Sequence, residues 1–120
     1  MNELRARRIV SGRSGGWCER CDRRLAAEWH HRKNRSQGGR WCPSNGLDLC
    51  GPCHRFVTAF RTVAFRHGWA VEEGLDPRRV PVWLARRGLC LLSPAGDVTP
   101  VFGRELSSWH VPTHPADRSP

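Results

Sequence analysis

Two Cys-x-x-Cys pairs, Cys18-x-x-Cys21 and Cys50-x-x-Cys53, stand 28 residues apart and constrain the fold more than any other feature of the chain. Each pair is a knuckle from which two thiolates can reach one ion. Two knuckles make a tetrahedral four-thiolate site of the kind that suits Zn²⁺ and is closed to substrate. The segment they bracket is too small to be held by hydrophobic burial alone, so a bound metal supplies folding free energy there. The chain has six cysteines and no apolar secretion signal, which favours metal or catalytic chemistry over a disulfide framework. Cys42 and Cys90 fall outside the pairs and read as small buried or loop thiols.

At 120 residues the chain fits one domain, and no apolar run approaches the roughly 18 residues that cross a bilayer. A soluble, cytoplasmic protein is expected. The formal charge of +9 predicts a polyanionic partner. Lys33 is the only lysine among the 20 cations, and guanidinium groups suit phosphate because they donate bidentately. A GC-rich genome accounts for arginine over lysine, but not for the excess of positive charge. A zinc ion on four thiolates lowers the net charge from +9 only to about +7.

Along the chain, residues 1–16 are basic and Gly/Ser-rich and predict a flexible arm, mobile or loosely docked. Residues 17–67 hold the paired cysteines and form the chemical centre. Within them Leu25–Trp29 reads as a strand, 33–45 as a polar loop turning at Gly38 and Gly39, and Leu47–Leu49 as a second strand. Pro52 suits a first helical turn, Phe56, Val57, Phe60, Val63 and Ala64 recur at helical spacing, and Gly68 marks the stop. Residues 68–102 read as a small β appendage, a hairpin, and 103–120 as a tail.

Glu28-Trp29-His30-His31 closes the first strand, Asn45 follows 14 residues after His31, and His54 comes directly after Cys53. With the Cys-x-x-Cys frames and the Arg-rich Gly-Gly loop, this order of His, Asn and His resembles the HNH endonuclease family. The resemblance covers roughly residues 17–67 and is nearest to the small stand-alone HNH proteins of phages and bacteria. It implies an α+β fold, a ββα-metal core stapled by the zinc site, and divalent-metal-dependent hydrolysis of DNA to 5′-phosphate and 3′-hydroxyl ends. By position, His31 matches the general base, His30 and His54 match the ligands of the catalytic ion, and Asn45 matches the residue that fixes the loop and orients His31. Mg²⁺ is the expected ion by availability, while imidazole ligands also suit Mn²⁺, Ni²⁺ or Zn²⁺. A resemblance of this kind also admits a role beside a phage terminase in DNA packaging. The branch resembling colicin nucleases has a further histidine where this chain has Thr58.

The residue chemistry agrees with hydrolysis, since a phosphodiester needs an activated water, a stabilised leaving oxygen and cations around the developing charge. Adjacent strand residues face opposite sides, so His30 and His31 share a site only if the strand ends or twists there. Arg32, Lys33, Arg35, Arg40 and Arg55 flank the site and are expected to hold phosphates. Arg61 and Arg66 continue along the helix, and Trp17, Trp29 and Trp41 read as packing. The alternatives are a zinc-knuckle DNA-binding or adaptor protein without turnover, and a toxin or defence nuclease acting on RNA or foreign DNA.

Overall fold

A computed structural model describes residues 1–102, so the tail expected at 103–120 lies outside the described residues. The chain begins with an ordered helix, α1 (Glu3–Ser14), which corrects the reading of residues 1–16 as a flexible arm. The Asn2 side chain caps it by accepting from the Arg5 N–H, and Gly15 closes it in the left-handed region at φ 66°. Its apolar face is only Ala6 and Val10, both fully buried, which is why periodicity alone does not reveal it. Arg13 anchors it. That buried guanidinium donates to both carboxylate oxygens of Glu19 at 2.8 Å and to the carbonyls of Pro43 and Gly46 at 2.7 Å.

Strands β1 (Glu28–His31) and β2 (Gly46–Leu49) pair antiparallel, with Glu28 opposite Leu49 and His31 opposite Gly46. β1 therefore starts three residues later than the expected strand, and Leu25 stays exposed in an isolated bridge to Trp17. Gly46 is required opposite β1, because a Cβ there would collide with the Trp29 indole.

The helix expected from Pro52 to Gly68 is two helices, α2 (Gly51–Ala59) and α3 (Arg61–His67), broken at Phe60 (φ −109°, ψ 69°). Gly68 does end the second in the left-handed region, at φ 76°, and a Cβ there would strike the Pro81 carbonyl. The expected hairpin gains a third strand. β3 (Val82–Leu84), β4 (Gly88–Leu92) and β5 (Val98–Pro100) form an antiparallel sheet in that order.

This sheet is no appendage. Val82, Leu84, Cys90 and Leu92 pack in the same core as Leu47, Leu49, Val57, Ala64 and the fully buried Trp69, whose indole N–H donates to the Trp83 carbonyl at 2.7 Å. Arg32 ties the halves together. Fully buried, its guanidinium donates to the carbonyls of Gly68, Ser44 and Val80 at 2.7 Å and of Pro77 at 3.1 Å. Burial, with Arg13 nearby, lowers its pKa to about 9, still a cation at neutral pH. Arg32 is therefore structural, which corrects its assignment as a phosphate contact: no fork is left for a ligand. The architecture is a small α+β fold, and no described helix is long and apolar enough to cross a membrane.

Candidate metal centre and active site

Cys18 and Cys21 lie on the turn after α1, Cys50 at the cap of α2 and Cys53 in its first turn. Their four Sγ atoms all lie within 4.8 Å of one another, and none of the four is in a disulfide. Cys21 Sγ and Cys50 Sγ are 3.9 Å apart, close to the ~3.8 Å edge of a tetrahedron with Zn–S bonds of about 2.3 Å. The donor set fits a metal ion such as zinc. A hydrogen bond shared between Cys18 and Cys53 lowers the Cys18 thiol to about 4 and raises Cys53, as crowded thiolates sharing protons do. The sequence reading missed Arg20, which is fully buried, donates to Cys53 Sγ at 3.2 Å and lies over the rings of Phe56 at 3.9 Å and Trp69 at 4.5 Å. Its positive charge sits where four thiolates and one divalent ion would leave a net negative charge.

A cleft of about 330 Å³ opens beside this cluster, lined by His30, His31 and His54 together with Arg35, Thr58 and Arg61. The rings of His30 and His54 meet edge to face with centroids 5.1 Å apart. Each has one nitrogen committed. His30 Nε2 lies 2.7 Å from the Trp69 carbonyl, an acceptor only, so Nε2 carries the proton and Nδ1 the lone pair. His54 Nδ1 lies 2.6 Å from Glu28 Oε1, which leaves Nε2 as its second nitrogen. A carbonyl or carboxylate on the far nitrogen is the arrangement that orients metal-binding imidazoles and raises their basicity. Glu28 was not recognised from the sequence. The available signal was its position two residues before His30, on the same side of β1.

His31 sits differently. It is the last residue of β1, and its ring meets that of Trp29 and packs edge-on against Trp41, with centroids 4.5 Å apart in the latter pair. Its Nε2 is buried with no hydrogen-bond partner. Desolvation first, then the charges of Arg35 and Arg7, lower its pKa from 6.5 despite an opposing contribution from Glu3. Asn45 clamps the loop that follows. Its Oδ1 accepts from the Lys33 N–H at 2.8 Å, and its Nδ2 donates to the carbonyls of Lys33 and Arg40 at 3.1 and 3.2 Å.

Of the other expected phosphate contacts, Arg35 lines the histidine cleft, while Lys33 and Arg40 line a separate cavity of about 500 Å³. Lys33 donates to the Leu75 carbonyl at 3.1 Å, and Arg55 is exposed on α2.

Burial of His30, 4% exposed, lowers its pKa from 6.5 to about 4. The unfolded chain then binds a proton that the folded chain refuses, so stability present above pH 6.5 is lost as pH falls toward 4. Without added divalent ion, the parent is expected to lose about 2 kcal/mol more than His30→Asn between about pH 7 and 5. Urea unfolding at the two pH values measures this, and parallel losses in the two proteins would contradict it.

Comparison of the chain with protein-family models, with curated proteins and with solved structures gives no match.

Proposed function

We propose that the chain is a divalent-metal-dependent endonuclease of the HNH type that hydrolyses DNA, built on a ββα-metal core and stapled by a structural Zn²⁺ on Cys18, Cys21, Cys50 and Cys53. The observation that supports it best is the pair of facing imidazoles, His30 and His54, each anchored through one nitrogen to an acceptor. His30 Nδ1 and His54 Nε2 would hold the catalytic ion, Mg²⁺ or another divalent cation, which when bound polarises the phosphate and stabilises the leaving 3′ oxygen.

The remaining steps belong to the chain itself. His31, neutral at physiological pH because its pKa is lowered, accepts a proton from the attacking water. Its ring packs on Trp41 and its Nε2 is buried, so this role includes a turn of the ring further into the cleft that His31 already lines. Asn45 holds the loop after His31 by gripping both backbone groups of Lys33. Glu28 holds His54 in place. Arg35 and Arg61, on the cleft wall, neutralise phosphate charge as it develops.

The test is conversion of supercoiled plasmid by metal-stripped, zinc-reloaded protein given Mg²⁺, Mn²⁺ or Ni²⁺. Relaxed or linear DNA is expected only with added ion. Its rate should rise with pH along a limb centred below the ordinary histidine value of about 6.5, because the base works when unprotonated. Cleavage independent of ion, or absent under every ion, would contradict the reading. A second reading, favoured by the buried Nε2 of His31, keeps the zinc-stapled fold as a nucleic-acid-binding or adaptor protein without turnover. Salt-sensitive DNA binding with no product would select it.

A further inference from the structure

The first helix carries a cationic stripe that the candidate site does not include. Ala6 and Val10 turn inward, and successive residues advance about 100° around a helix. Arg7 therefore lies on one flank of that buried face, Ile9 and Arg5 on the other, and Arg8 points directly away from it.

The contacts identify the flanks. The Arg7 guanidinium lies over the Trp41 ring at 5.0 Å, and Trp41 in turn meets His31 at 4.5 Å. Ile9 instead meets Gly96, in the turn between β4 and β5. The Arg7 flank thus borders the histidine cleft that His31 lines. Arg35 and Arg61 are the cleft's own cations. Arg5, Arg7 and Arg8 are exposed, and Arg7 has an acidic neighbour in Glu3, paired to it at 2.9 Å with both side chains about half exposed. Such a pair is weak in water and yields to a phosphate.

We propose that Arg7 of α1, with Arg35 and Arg61, holds phosphates of a DNA duplex laid across the histidine cleft. Helix α1 then forms one wall of the binding surface. The duplex as partner rests on the nuclease reading, while the assignment of α1 rests on which flank of the helix meets Trp41. Guanidinium groups on separate elements around an open cleft fit a backbone, because phosphate contacts position a duplex without reading its bases.

The experiment measures duplex binding by fluorescence anisotropy between about 50 and 200 mM salt, without added divalent ion, so that binding is read apart from cleavage. Each lost phosphate contact reduces the slope of log K against log salt by about 0.9. Arg7→Gln should reduce it by about 0.9, Arg7→Lys, which keeps the charge, should leave it as in the parent, and Arg5→Gln and Arg8→Gln, off this flank, should leave it unchanged. Thermal melting verifies that each variant is folded. An unchanged slope in Arg7→Gln, an equal loss in Arg5→Gln or Arg8→Gln, or tighter binding of single-stranded RNA than of duplex would overturn the proposal. A parent that cuts plasmid while Arg7→Gln keeps its slope refutes the role of α1 and leaves the nuclease reading standing. An Arg7-dependent slope in a parent that never cuts supports the role of α1 and refutes the nuclease reading.

Discussion

Cys50→Ser is expected to lose most of its bound zinc and to melt about 15 °C or more below the parent, a loss of about 3 kcal/mol at the transition. The effect is large because an ion held by the four cysteines would make metal binding and folding one equilibrium. Zinc binding to a structural site contributes about 10–16 kcal/mol in peptides, comparable to the whole stability of a small domain, about 5–15 kcal/mol. Cys50 stands where β2 ends and α2 begins, and Cys53 one turn on, beside His54. Losing the ion would therefore loosen the helix that carries His54 as well as the knuckle of Cys18 and Cys21. Cys42→Ser is the control. That thiol lies outside the cluster, 3.1 Å from Ser44 Oγ, and its loss should leave zinc content unchanged. Elemental analysis with thermal melting reads both variants, and full zinc with an unshifted transition in Cys50→Ser would remove the structural site from the account.

The second large effect is on rate. His31→Ala should lower DNA cleavage by about 10²- to 10⁴-fold, the usual contribution of a positioned general base. Duplex affinity should change by less than about threefold, because the expected phosphate contacts are arginines rather than this ring. Melting should shift little, since one edge of His31 packs on Trp41 while Trp29, Ala6 and Val10 form the cluster beneath. Single-turnover kinetics at saturating protein separate the two quantities. Cleavage equal to the parent would assign the proton transfer elsewhere, and the Glu28–His54 pair would be the next candidate.

Much of this site is legible in the residues, for reasons that differ from one feature to the next. The four-cysteine cluster follows from spacing, because each pair needs only a local turn and two pairs need only to meet. Asn45 and His54 are readable as parts of an ordered pattern, and Gly68 as a stop because only glycine clears the Pro81 carbonyl at its positive φ. The conflict between His30 and His31 was also predictable from strand alternation, and in the structure β1 ends at His31, so that both residues line one cleft while His30 meets His54 and His31 meets Trp41.

What stays hidden is carried by buried polar groups. Helix α1 docks through Arg13 and Glu19, far apart in chemistry from the apolar stripe that periodicity detects. Arg32 looks like every other cation in a basic loop, yet it is consumed by backbone carbonyls up to 48 residues away. The break at Phe60 and the strand β5 depend on packing between distant segments, and neither interrupts the local pattern.

The central claim is that His30 and His54 hold a working ion distinct from the four-cysteine zinc. It is tested most directly by titrating Mn²⁺ into zinc-loaded parent and His54→Ala while plasmid cleavage is recorded. The account predicts that the parent reaches a saturating rate with zinc still in place, and that His54→Ala keeps its zinc but falls at least about 100-fold short at every Mn²⁺ concentration. Equal saturating rates in the two proteins would contradict it.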